Sequence, residues 1–152
     1  MIGFSLPIFA ITLFAIAAAI FISVKLRGVR NTKSARARIL GGTWIPAQDL
    51  IAGCADENGE YRKFDGPGCY IILVFDHEVT NGDFGNYREA YVGKSDKAYE
   101  AACAQLADLG IEDSGQADQS ENNHAYVQVR FYEEKHLGTR EETIAKLLKA
   151  EK

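Results

Sequence analysis

The chain has 152 residues, of which 47% are hydrophobic and 25% charged, values that exclude a disordered or collagen-like protein. Residues 1–24 carry no charged side chain, residues 25–38 carry six basic residues and no acid, and residues 41–152 carry 11 basic and 21 acidic residues, a formal charge of −10. The sequence therefore divides into an apolar segment, a basic segment and an acidic part.

The apolar segment reads IGFSLPIFAITLFAIAAAIFISV over residues 2–24. As a helix it would be roughly 34 Å long, enough for a hydrocarbon core of about 30 Å. No Lys or Arg precedes it, which argues against a cleaved signal peptide. The segment predicts a transmembrane helix over 1–24 and a single-pass membrane anchor.

The basic segment follows at once, and we call its six basic residues the basic collar: Lys25, Arg27, Arg30, Lys33, Arg36 and Arg38. Because Lys and Arg resist translocation, the collar predicts a cell-membrane protein with its N-terminus outside and its acidic part in the cytoplasm. The collar has two interpretations: it is a topology signal alone, or it also contacts anionic lipid head groups. Residues 25–66 are predicted as collar and linker, with room for a short helix in 44–52.

Periodicity predicts a compact domain over 67–152. The apolar run 69–75 indicates a buried strand, and Asn-Gly and Gly-Asn pairs in 76–86 indicate a turn into a second, antiparallel strand at 87–92. Ser95 is the predicted N-cap of a helix over 97–109, and 111–123 is a predicted loop.

The last two elements are a strand that alternates over 124–132 and a helix over 139–149. A capping box of Thr139 and Glu142 is predicted to begin that helix. The predicted fold is α+β, with a small three-stranded antiparallel sheet flanked by helices in the order β-β-α-β-α, preceded by one N-terminal transmembrane helix.

One candidate motif fails on spacing. Gly93-Lys94-Ser95 ends like a phosphate-binding loop, but such a loop needs another glycine five residues before Gly93, and that position is Arg88. Binding of a nucleoside triphosphate is therefore excluded.

A second pattern extends over the whole predicted domain. Gly68-Cys69-Tyr70 opens the first strand, Tyr91-Val92-Gly93 closes the second, and a glutamate-bearing helix follows the third. This arrangement resembles the GIY-YIG nuclease superfamily over residues 67–150. The resemblance implies a three-stranded sheet, two tyrosines at a cleft, an arginine on the first helix, and a glutamate that holds one divalent ion, usually magnesium.

Carried over by position, the resemblance implies that Tyr70, Tyr91 and Glu141 are catalytic and that Glu141 is the metal ligand. Glu142 is the alternative to Glu141. We favour Glu141 because Ile144 follows it by three residues, as in the family, and because the capping box already employs Glu142.

These residue types suit hydrolysis of a phosphodiester. A metal on a carboxylate stabilises the charge of the transition state, and a tyrosine can act as base if a cation lowers its pKa from about 10. The family's arginine is missing, because residues 97–109 contain none, and only Arg88 and Arg130 on predicted strands remain.

Two functions follow as expectations. The first is a membrane-anchored, magnesium-dependent endonuclease. The second is a catalytically degenerate binding or scaffold module, favoured by the missing arginine and by an acidic domain that opposes binding of nucleic acid. Two alternatives involve no catalytic site. Tyr70 and Tyr91 could be ordinary strand tyrosines, since aromatic residues favour strands, or the domain could have an unrelated fold.

Overall fold

The structure is a computed structural model that describes residues 6–111 and 124–150, with side chains described in 15–111 and 124–150. Part of the predicted loop 111–123 lies outside these ranges. The chain forms two compact units, Met1–Ala37 and Arg38–Lys152.

The first helix is longer than the sequence predicted. Helix α1 extends over Leu6–Leu40 and includes the whole basic collar, which was interpreted as the start of a linker. Most residues here are strong helix formers (Lys, Arg, Ala and Leu), and the single Gly28 costs only about 1 kcal/mol inside a helix, so the helix continues. It ends before Gly41-Gly42, where the Gly42 amide donates to the Ile39 carbonyl oxygen at 3.1 Å.

The predicted transmembrane helix over 1–24 is contradicted. Within residues 6–111 and 124–150, no helix combines the length and the apolar character needed to cross a membrane. The helix that contains most of the predicted span does not end with it but continues through the charged collar. The first five residues of the span lie outside the described residues.

The sheet has four antiparallel strands in the order β1-β4-β2-β3, not the predicted three. They are β1 Ile45–Pro46, β2 Gly68–Phe75, β3 Glu89–Ser95 and β4 His124–Phe131. The extra strand, β1, has two residues and pairs Ile45 with Val127. A strand this short shows no alternating pattern, so only its tertiary partner reveals it.

The other helices are α2 Ala47–Ala55, α3 Glu60–Lys63, α4 Ala98–Asp108 and α5 Leu137–Leu148, the last preceded by a 3-10 turn over Glu134–His136. The chain is α+β as predicted, and the order β2-β3-α4-β4-α5 is the one expected for 67–152. The structure also has strand β1 and helices α2 and α3, which precede β2 in the chain.

Each face of the sheet has its own hydrophobic core. On the face that we call the α4 face, Ile72 and Val127 pack with Leu50 of α2 and Leu106 of α4. On the opposite face, the α5 face, residues of β2 and β3 pack with Leu137, Ile144 and Leu148 of α5. Side chains alternate between faces along a strand, so a residue's register decides which core it joins.

The N-terminus of α4 is capped from a distant loop. The Tyr99 and Glu100 amides donate to the two carboxylate oxygens of Asp65, at 2.9 and 3.1 Å. The predicted N-cap Ser95 instead accepts a bond from the Lys97 amide, and Lys97 occupies the N-cap position. A protein carboxylate therefore occupies the place where a phosphate-binding loop would hold its ligand.

The predicted capping box of α5 is also absent. The 3-10 turn carries the chain directly into the helix, which begins at Leu137 with His136 at the N-cap position and no side-chain cap. Thr139 thus lies inside the helix, where its carbonyl oxygen accepts a bond from the Thr143 hydroxyl at 2.7 Å.

Candidate functional site

The two candidate tyrosines lie on the same face of the sheet. Tyr70 of β2 stands opposite Gly93 of β3, and Tyr91 stands opposite Ile72. Directly opposed residues of an antiparallel pair share a face, and so do residues two apart on one strand. Both tyrosines therefore belong to the α4 face, where they pack against its core.

The glycines of the motif have a packing role. A Cβ on Gly93 would overlap Cζ and Oη of Tyr70, so the tyrosine ring crosses directly over the glycine. A Cβ on Gly68 would lie 2.6 Å from the Arg130 carbonyl oxygen and 3.2 Å from Cβ of Ala98. Both glycines are explained by close approach of a neighbour, with no reference to catalysis.

The hydroxyls of the tyrosines donate to different acceptors. Tyr70 Oη donates to Oε1 of Gln105 on α4 at 3.5 Å, a long bond. Tyr91 Oη donates to Oε2 of Glu89 on its own strand at 2.6 Å, and this bond lowers the pKa of Glu89. The two tyrosine hydroxyls therefore share no hydrogen-bond acceptor.

Glu141 lies on the other side of the sheet. Its helix, α5, packs on the α5 face, and the carboxylate is largely covered, with 16% of the side chain exposed. Its Oε2 lies 3.3 Å from Nζ of Lys94, which stands opposite Cys69 on that face. The neighbouring Glu142 is exposed.

The electrostatics of Tyr70 oppose the role of a base. Burial raises the pKa of Tyr70, and the negative charges of Glu141 and then Asp108 raise it further. A base at neutral pH needs a phenol whose pKa is lowered from about 10. Tyr70 is shifted in the opposite direction, so its hydroxyl stays protonated at neutral pH and acts as a hydrogen-bond donor.

The two candidate arginines are engaged elsewhere. Arg88 lies 2.5 Å from a carboxylate oxygen of Asp76, and its Nε lies 3.2 Å from Glu89. Arg130 donates to Oε1 of Gln128 at 2.8 Å and to the Arg38 carbonyl oxygen at 3.3 Å.

The cation that does meet Glu141 is Lys94, whose only sequence context is the failed phosphate-binding motif Gly93-Lys94-Ser95. The register of the strand pair places Lys94 directly opposite Cys69, on the face that α5 covers, and no local sequence pattern indicates this. An ammonium group already pairs with the carboxylate to which a metal was assigned.

Within the described residues, no group of three or more His, Cys, Asp or Glu side chains is arranged to hold a metal ion. Glu141 offers a single carboxylate. Magnesium binding at Glu141 stays a prediction.

Three aromatic side chains form a row at the end of the sheet where β4 ends, and we call it the aromatic row: Tyr61, Tyr99 and Phe131. Ring centroids are 5.0 Å apart for Tyr61 and Tyr99 and 5.5 Å apart for Tyr99 and Phe131. Phe131 is 48% exposed, and Phe64, from the loop after α3, is 64% exposed.

No family model, curated protein or solved structure matches this chain. The resemblance to the GIY-YIG superfamily stays a prediction that depends on the quoted residues.

Proposed function

We propose that unit 38–152 is a binding or scaffold module that does not hydrolyse phosphodiesters. The observation that carries the proposal is the separation of the candidate groups. Tyr70 and Tyr91 belong to the α4 face, whereas Glu141 approaches the sheet from the α5 face and pairs with Lys94. A metal-assisted attack needs the water, the metal and the scissile phosphate in one cleft.

The packing of the motif supports the same reading. Gly93 is needed because the Tyr70 ring crosses it, and Gly68 is needed because the Arg130 carbonyl and Ala98 approach it. A pattern that resembles a catalytic signature is accounted for by the close packing of two strands and one helix.

The surface of the unit suits a protein partner better than a nucleic acid. The acidic part of the chain repels phosphates, and nucleic-acid affinity depends on their neutralisation. Phe64 and Phe131 are exposed, whereas Tyr61 and Tyr99 are half-buried, and aromatic side chains are enriched at protein interfaces. We assign the docking role to the aromatic row and Phe64, with an apolar or aromatic protein segment as the ligand.

Calorimetric titration of the full chain with MgCl2 and MnCl2 tests the proposal without a known substrate. We expect the wild type and Glu141→Gln to give the same heats, because the Glu141 carboxylate already pairs with Lys94 and offers a metal only a single side-chain ligand. Glu142→Gln, a change at the exposed neighbour, is the matched control. A single metal site that disappears in Glu141→Gln and persists in Glu142→Gln would refute the proposal.

One observation favours the second candidate function, a metal-dependent endonuclease. The charge of Glu141 raises the pKa of Tyr70, so the carboxylate acts on that phenol although it approaches the sheet from the other face. A metal on Glu141 would reverse the sign of this influence. The same titration separates the two functions, because the endonuclease requires the metal site.

A further inference from the structure

The described part of α1 exposes an unusual amount of apolar surface. Seven of its large apolar side chains are between 54% and 64% exposed: Ile16, Ile20, Phe21, Ile22, Val24, Leu26 and Val29. Among the described residues outside this helix, only Phe64 and Phe131 are large, apolar and comparably exposed. Contiguous apolar surface of this kind marks a contact with a partner or a lipid phase.

The apolar side chains surround the helix. At about 100° per residue, those seven positions are spread round the whole circumference of α1. A single flat protein surface would cover one side and leave the other side in water. Covering all sides at once takes a medium that surrounds the helix.

The helix also hides its polar groups from such a medium. The Ser23 hydroxyl donates to the Ala19 carbonyl oxygen at 2.8 Å. The backbone amides and carbonyls within the helix are paired along it, as an apolar environment requires. Lys25 places its ammonium 5.2 Å from the centroid of the Phe21 ring, at the boundary between the apolar residues and the collar.

The basic collar supplies the complementary charge. Its residues continue the same helix, are partly or fully exposed, and are accompanied by no acid in residues 25–38. Arg30 lies about 14 Å along the axis from Phe21, at about 1.5 Å per residue. When Phe21 reaches the acyl chains of a bilayer, the middle of the collar around Arg30 is therefore near the depth of the phosphates.

We infer that α1 binds to anionic lipid bilayers, with the apolar residues 16–24 among the acyl chains and the basic collar on the lipid phosphates. The apolar residues supply most of the affinity, and each basic residue near the surface adds to it, so the collar selects anionic over neutral lipid.

Flotation with vesicles tests this inference. The full chain is synthesised in a cell-free system with vesicles of phosphatidylcholine alone or mixed with phosphatidylglycerol, and the bound fraction is measured at low and high salt. We expect about tenfold or greater preference for the anionic vesicles at low salt, and a smaller preference at high salt. Arg30→Glu combined with Lys33→Glu lowers the charge of residues 25–38 from +6 to +2 and should reduce the preference to a small fraction of its wild-type value.

Two matched variants separate the contributions. Ile20→Glu combined with Phe21→Glu should prevent flotation with either vesicle, whereas Ala104→Glu combined with Ala107→Glu, which adds the same two carboxylates at exposed positions of α4, should float like the wild type. Circular dichroism checks that each variant is folded. Equal binding of the wild type to both vesicles, flotation that survives Ile20→Glu with Phe21→Glu, or a lipid-free oligomer that does not float would each overturn the inference.

Discussion

Replacing Gly93 by Ala should lower the free energy of unfolding by about 1–3 kcal/mol, the usual cost of overpacking a well-filled site. The added methyl group would overlap the Tyr70 ring, which lies over Gly93 and whose hydroxyl reaches Gln105 of α4. Without that ring, Ala would be preferred to Gly within a strand, because Gly loses more conformational entropy on folding. Urea-induced unfolding, followed by circular dichroism, measures the change.

A double-mutant cycle identifies the cause. In a Tyr70→Ala background the ring is gone, and Gly93→Ala should then be neutral or stabilising. Gly138→Ala is the matched control, because the nearest heavy atom to its added Cβ would be the flexible Lys94 ammonium at 3.5 Å. If Gly93→Ala costs the same with and without the Tyr70 ring, the packing explanation of the motif is wrong.

Replacing Gln128 by Met should destabilise the protein by about 3 kcal/mol, since buried hydrogen-bonding groups lose their partner. Gln128 is the buried polar residue of the described core, with 4% of its surface exposed. Its Nε2 donates to the carbonyl oxygens of Ile39 and Thr43, at 3.1 and 3.4 Å, and its Oε1 accepts from Arg130 at 2.8 Å. Met has a similar shape but offers none of these bonds.

Two further variants separate the bonds from the packing. Gln128→Glu keeps an acceptor for Arg130 but turns an oxygen towards the Ile39 and Thr43 carbonyls, so its cost adds the burial of a carboxylate to the loss of the two donated bonds and should exceed that of Gln128→Met. Gln105→Met removes only the long bond to Tyr70 and should cost below about 1 kcal/mol. Thermal and urea unfolding give the values. A Gln128→Met protein as stable as the wild type would show that these bonds do not hold the sheet to residues 39–43.

The sequence predicted the elements that carry a strong local signal. Strand β2 is a continuous apolar run, β4 alternates, and α4 is rich in helix formers and ends before Gly110, whose φ of 76° requires glycine. Strand β1 was missed because a two-residue strand is defined only by its partner, Val127 in β4. The start of α5 was misplaced because its 3-10 turn has no distinct sequence signature.

The candidate site was harder to predict than the fold. Alternation along β2 and β3 is a local property, so the shared face of Tyr70 and Tyr91 follows from the register once their pairing is known. The side from which α5 approaches depends on tertiary packing, so nothing in the sequence around Glu141 shows that its carboxylate meets Lys94. Asp65 as the cap of α4 was hidden for the same reason, since it is 34 residues from Tyr99.

The most direct test of the central claim is a cleavage assay. The full chain is incubated with supercoiled plasmid, single-stranded DNA and RNA in the presence of Mg²⁺ or Mn²⁺, beside Tyr91→Phe and Glu141→Gln proteins purified in parallel. The separation of the tyrosines from Glu141 predicts the same background rate for all three proteins. Metal-dependent cleavage by the wild type that both substitutions abolish would contradict it.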